Sequence, residues 1–211
     1  MNKQIPHALR RGEARDRLLE AARDVIRARG FAATSVDDLC NAAGVTKGAF
    51  FHHFESKEAL GVAAAAFWAE TTSAFFAAAP YHDHADPLDR VLGYIAFRRT
   101  IIDGDLAAFT CLVGTMAQEV YASHPAIREA CAASIFSHAA TIEPDIAAAM
   151  AAHGVGGELT AASLAVHTQA VLQGAFILAK ATGDADVARD SVDHLARYVR
   201  LLFGRQGGSG Q

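Results

Sequence analysis

Residues 34 to 54 spell two helices of about two turns each, and helices that short persist in water only when a surrounding fold clamps them. Thr34 stands as a cap with Asp37 three residues on as its capping-box partner, and Val36, Leu39, Cys40 and Ala43 form one apolar stripe. Gly44 ends that helix and Val45 plugs the turn. Thr46 caps the next helix, in which Ala49, Phe50, His53 and Phe54 share a face. Two short helices joined by a Gly-containing turn make the helix-turn-helix unit, whose second helix enters the major groove of DNA. Thr46, Lys47, Gly48, Phe51 and His52 then point outward. Hydroxyl, ammonium and imidazole groups reach phosphates or base edges, and Gly48 lets the backbone come close. Ser56 caps a fourth helix, and Lys57 beside its N-terminus adds a phosphate contact.

Apolar residues at Leu18, Ala22, Val25 and Ile26 predict a first helix over 13–29, stopped by Gly30. The 211 residues hold 47 Ala and only 5 Pro, the best and worst helix formers, so the fold class is all-α. Further helices are expected over 57–79, 87–102, 106–123, 125–153 with a kink at Pro144, 159–182 and 186–203, about nine in all. The resulting plan is a three-helix helix-turn-helix DNA-binding domain at 1–55, a larger helical effector-binding and dimerisation domain at 56–204, and a disordered tail at 205–211. His82, Asp83, His84 and Asp86 sit in a polar loop that fixes no ligand geometry, so it reads as a connection rather than a metal site.

Charge divides along the chain. Residues 1–60 carry 10 Lys/Arg against 8 Asp/Glu, a net of +2, and residues 61–211 carry 9 against 15, a net of −6. An anionic partner is therefore expected at the N-terminal end alone. Cys40, Cys111 and Cys131 are odd in number and lack CxxC spacing, which fits neither a disulfide framework nor zinc. The polar N-terminus lacks the apolar stretch of a secretory signal. The longest apolar run, 59–69, has 11 residues, short of the roughly 18 that span a bilayer. A cytoplasmic protein without membrane contact and without cofactor is expected. No GxSxG, P-loop or GxGxxG pattern supports an enzyme, so a helical enzyme using His and Cys is the weaker alternative.

Residues 30–60, from GlyPheAlaAlaThrSerVal through AlaGlyValThrLysGlyAlaPhePheHisHisPhe to SerLysGluAlaLeu, resemble the DNA-binding segment of TetR-type transcriptional regulators. The resemblance implies that Thr34, His53 and Lys57 hold phosphates and that Thr46, Lys47 and Gly48 approach bases or backbone. Phe51 departs from the family's usual Tyr. It loses a phenol-to-phosphate hydrogen bond and offers a surface for a thymine methyl, leaving His52 or the Arg10/Arg11 arm to supply the contact.

The resemblance also implies a homodimer packed through the eighth and ninth helices, a near-palindromic double-stranded operator, and repression relieved by a small-molecule effector. Phe67, Trp68, Phe75, Phe97, Phe109, Met116, Phe136 and Phe176, with His138, His167, Gln169 and Gln173 interspersed, suit a cavity with apolar walls and few orienting groups. A small hydrophobic or aromatic effector follows. Residues 111–120 resemble a segment of a TetR subgroup that includes electrophile-sensing repressors. Modification of Cys111, itself counted among the cavity residues, is therefore the alternative trigger.

Overall fold

The computed structural model describes residues 12–205, which form ten α-helices and one 3-10 turn. α1 (Glu13–Arg29), α2 (Val36–Ala43), α3 (Lys47–His53) and the start of α4 (Lys57–Ala77) make the N-terminal module. After a 3-10 turn (Pro80–Asp83) come α5 (Pro87–Thr100), α6 (Leu106–Phe109), α7 (Leu112–Val120), α8 (Pro125–His153), α9 (Ala161–Thr182) and α10 (Asp186–Leu202).

Caps set most of these limits. The α2 cap lies one residue later than the spacing predicts: Ser35 accepts from the Asp38 amide while Asp38 accepts from the Ser35 amide. Thr34 is drawn inward instead, donating its hydroxyl to the Gly30 carbonyl at 2.6 Å. Gly44, with φ +61°, closes α2 in the left-handed conformation that costs glycine nothing. Thr46, Ser56 and Asp86 cap α3, α4 and α5 through their side chains.

The helix expected over 106–123 is broken. Thr110 and Cys111 are extended, the Thr110 carbonyl accepts from Arg27 Nε at 2.8 Å, and Cys111 Sγ takes the Gly114 amide that would otherwise have bonded that carbonyl. Nine expected helices thus become ten. α8 runs through Pro144 as one uninterrupted helix. Arg205, placed in the tail by the sequence, is anchored by ion pairs to Asp86 and Asp89, while residues 206–211 and the Arg10/Arg11 arm lie outside the described residues.

Two apolar cores meet inside the molecule. The first joins Leu18, Ile26, Phe31, Leu39, Phe50 and Leu60 to Val113, Met116, Val120, Ile127 and Cys131, so the N-terminal module shares its core with α7 and the start of α8. The second gathers Phe76, Tyr94, Ile142, Leu172, Phe176 and Val199 from α4, α5, α8, α9 and α10. α4 and α9 are long and apolar enough to cross a membrane by length and composition, although the longest unbroken apolar run is 11 residues. Both are built into the helix stack, α4 against α1, α7 and α8, and α9 against α8 and α10.

Candidate DNA-reading face and effector cavity

α3 is held by its apolar side and leaves the rest to solvent. Phe50 is completely buried and Phe54 nearly so, whereas Thr46, Lys47, Gly48, Phe51 and His52 are exposed together on one face. Thr46 accepts from the Ala49 amide, which leaves its O–H free to donate. Lys47 pairs with Asp37 at 2.9 Å, and that carboxylate raises the ammonium above its ordinary value. Both partners are exposed, so a duplex phosphate competes for the ammonium at little cost. The Phe51 ring stands edge-on to Phe50 at 5.1 Å with half its surface open. His53 is half-buried behind this face.

Two other expected phosphate ligands have structural duties. Thr34 is 1% exposed with its hydroxyl committed to Gly30, so in this conformation it presents no group to a duplex. Lys57 Nζ donates to the carbonyls of Phe31 and Thr34 at 3.0 and 2.9 Å and lies 4.4 Å from the Phe31 ring centroid. One of its three N–H groups remains for an anion. The same contacts pin the first turn of α4 to the α1–α2 connection.

Where the two cores meet, a cavity of about 40 Å³ opens among α4, α5, α8, α9 and the α6–α7 break. It collects Trp68, Phe109, Cys111, His138, Gln169, Gln173 and Phe176 from the expected set. Six expected residues lie elsewhere. Phe67 and Met116 pack in the N-terminal core, Phe75 is half-exposed and packs with Phe97 beside the cavity's far wall, and His167 stacks on Tyr198 at the outer face of α9 and α10. The phase of α4 explains the difference: Trp68, Thr72 and Phe76, at steps of four, face inward, which turns Phe67 and Phe75 aside. Phe136 is likewise exposed.

Arg98, Thr72, Phe76, Val113, Ser134 and Ile135 also line the cavity and escaped the sequence reading. Arg98 had a visible signal. It falls in the apolar stripe of α5 between Ile95 and Ile102, where a guanidinium breaks the pattern.

Tyr94 organises the polar end of the cavity. Its hydroxyl oxygen accepts from Arg98 Nε at 3.0 Å and from Gln169 Nε2 at 2.9 Å, so its own proton goes to His138 Nε2 at 3.0 Å. His138 is therefore neutral with its proton on Nδ1, and Nδ1 is buried without a partner. Burial first, and the Arg98 charge second, push the imidazole down to about 3. The folded state then binds this proton less tightly than the unfolded state, whose value is near 6.5. Stability is unaffected above about pH 6.5 and falls as the pH drops toward 3, by about 2 kcal/mol at pH 5. His138→Gln should flatten the slope of unfolding free energy between pH 6.5 and 4 in urea titrations. An unchanged slope would contradict the assignment.

Cys111 is half-buried at the cavity wall, while burial pushes the Cys131 thiol up to about 12 and raises Cys40. Among the described residues no three His, Cys, Asp or Glu side chains gather as a metal site would require.

A capped pair of short helices with an exposed second helix, carried on an all-helical body, defines a helix-turn-helix DNA-binding protein. Residues 18–64 match the profile of bacterial regulatory proteins of the tetR family, and residues 87–194 match that of the C-terminal domain of LmrA/YxaF-like transcriptional regulators. The chain belongs to the TetR family of transcriptional regulators, in the branch with LmrA/YxaF-like C-terminal domains.

The transcriptional repressor DhaR of Mycobacterium sp. (strain GP1) is 30% identical over 110 residues, 52% of this chain and 54% of DhaR. The repressor NemR of Escherichia coli K12 is 40% identical over 63 residues, 30% of this chain and 29% of NemR. These matches span about half or less of the curated relatives. A TetR regulator of Chloroflexus aurantiacus J-10-FL, of known crystal structure, superposes with a TM-score of 0.76 at 28% identity, covering 89% of this chain and 94% of that one.

Proposed function

We propose that this regulator is a cytoplasmic homodimeric repressor that grips a near-palindromic operator through α3 and lets go when a small effector enters the cavity among α4, α5, α8 and α9. One observation carries the coupling. The cavity lies on the seam between the two cores, and α4 contributes Trp68, Thr72 and Phe76 to it while its first turn is tied through Lys57 to the α1–α2 connection. At roughly 10–15 Å³ per water the cavity admits about three waters. A larger guest has to displace lining elements, α4 and α7 among them. Either motion reaches the reading head, because Arg27 from α1 bonds the Thr110 carbonyl and Glu119 from α7 accepts the Ala32 amide at 3.0 Å. Coupling of this kind is worth about 1–3 kcal/mol.

The dimer rests on α9 and α10, which leave Val166, Ile177, Leu178, Tyr198 and Leu201 exposed. Large apolar side chains left exposed on two neighbouring helices are expected to be covered by a second copy. Two α3 helices then stand about 34 Å apart, one turn of B-DNA.

Gel retardation of duplexes from the neighbouring gene region, with and without candidate effectors, tests the reading. Binding that no small molecule weakens would remove the effector half. Phe51→Tyr restores a phenol on the reading face and should tighten binding severalfold without changing the selected sequence. A shifted consensus in a binding-site selection would reject that role for Phe51.

A second reading is favoured by Cys111 lining the same cavity in a half-buried position. Under it, alkylation of Cys111 wedges the cavity open in place of a ligand. Stoichiometric labelling of Cys111 without loss of DNA binding would dispose of it.

A further inference from the structure

The cavity contains one cation and no carboxylate. Arg98 is stacked with its guanidinium carbon 4.5 Å from the Phe76 ring centroid, and it donates to the Tyr94 hydroxyl at 3.0 Å and to Gln169 Oε1 at 3.4 Å, both neutral. None of the other lining residues is Asp or Glu, and no salt bridge to Arg98 occurs among the described residues. Three other arginines that cross between elements end on carboxylates, Arg90 on Asp145, Arg99 on Asp193 and Arg205 on Asp86, while Arg27, on the Thr110 carbonyl and the Trp68 ring, does not. A guanidinium placed in an apolar wall loses hydration and is compensated by a counter-charge or by acceptors.

The hydrogen bonds sharpen the point. Tyr94 uses both acceptor positions on Arg98 and Gln169 and its donor on His138, so the network is closed around the phenol. It leaves two donor positions over: among the described residues Nη1 of Arg98 makes no hydrogen bond, and the buried Nδ1–H of His138 makes none. Surplus donors beside an uncompensated cation define a receptor for an anionic, planar acceptor. Trp68, Phe76, Phe109 and Phe176 supply apolar walls next to it.

We propose that the effector is an organic carboxylate with an aromatic or short aliphatic body, its carboxylate held by Arg98 and its body against the aromatic wall. This inference rests on the reading of the cavity as the effector site and narrows the effector from merely hydrophobic to anionic. The carboxylate supplies the missing counter-charge, and its body exceeds the present cavity and so displaces α4.

Trp68 is the chain's single tryptophan and lines the cavity, which gives a built-in reporter. The full-length protein is titrated with benzoate, phenylacetate and hexanoate and with the corresponding amides, following Trp68 emission and melting temperature, in parallel with release of operator DNA. At least one acid should bind about 10-fold or more tighter than its amide, the usual scale for a hydrogen-bonded charge. Arg98→Gln should erase that preference by weakening the acid while leaving the amide within about threefold. Arg98→Lys, which keeps the charge and guards against a folding defect in the first variant, should retain part of it.

Acids and amides binding alike, neither binding at millimolar concentration, or an acid preference that survives Arg98→Gln would each overturn the proposal. Neutral aromatics that bind and release DNA while acids fail would overturn it and leave the repressor reading intact. Acids that bind through Arg98 without releasing DNA would uphold the site chemistry and overturn its assignment to the effector.

Discussion

Leu178→Asp is expected to convert the protein from dimer to monomer and to weaken operator binding by about 100-fold or more, the usual scale when two linked half-site contacts become independent. Leu178 is half-exposed near the C-terminal end of α9, on a face that continues onto α10 through Tyr198 and Leu201, the latter 74% exposed. Its side chain contributes little to the fold of one protomer, so an aspartate there leaves the monomer stable. A buried aspartate facing its own symmetry copy is a different matter, because both desolvation and like charge oppose association. Sedimentation velocity at micromolar concentration reads the change directly. A wild-type protein that sediments as a monomer would contradict the premise, and a variant that stays dimeric would move the interface elsewhere.

Gly30→Ala is expected to cost about 2–4 kcal/mol and to loosen the reading head without touching a DNA-facing residue. Gly30 has φ +89° and ψ 159°, a region that only glycine occupies without strain. A Cβ added there would overlap the Glu119 carboxylate. That carboxylate can swing away, but only by releasing the Ala32 amide and with it a link between α7 and the N-terminal module. Glu119→Ala in the same chain should recover part of the loss and not all, since the backbone strain stays. Urea unfolding of the two single variants and the double variant separates the parts. A Gly30→Ala protein as stable as wild type would show that the close approach of α7 to α1 is not built as described.

How far the sequence could be read depended on whether the deciding forces were local. The short helix pair was legible because caps, a positive-φ glycine and an apolar stripe all act within a few residues. Even there the α2 cap moved from Thr34 to Ser35, since Thr34 found a better acceptor in the Gly30 carbonyl, four residues back. The break between α6 and α7 was not legible, because the group that takes the Thr110 carbonyl comes from Arg27, 83 residues away.

The cavity was half legible. α4 is apolar almost all round, so its periodicity could not say whether Phe75 or Phe76 faces inward. His167 looked like a cavity polar group for the same reason: α9 has apolar residues on its inner and outer faces alike. Arg98 was written plainly in the α5 stripe, and its meaning appears only once Tyr94, Gln169 and His138 are seen to close around it.

Fluorescence anisotropy of a labelled duplex from beside the gene, titrated with unliganded protein over a range of salt concentrations, tests the reading head most directly. Specific binding should appear at low salt and weaken along a straight line in log–log form, with a slope of about −0.9 for each phosphate neutralised. Lys47→Ala should flatten that slope by about one contact. Weak binding that ignores sequence, or a slope that Lys47→Ala leaves unchanged, would contradict the placement of α3 against DNA.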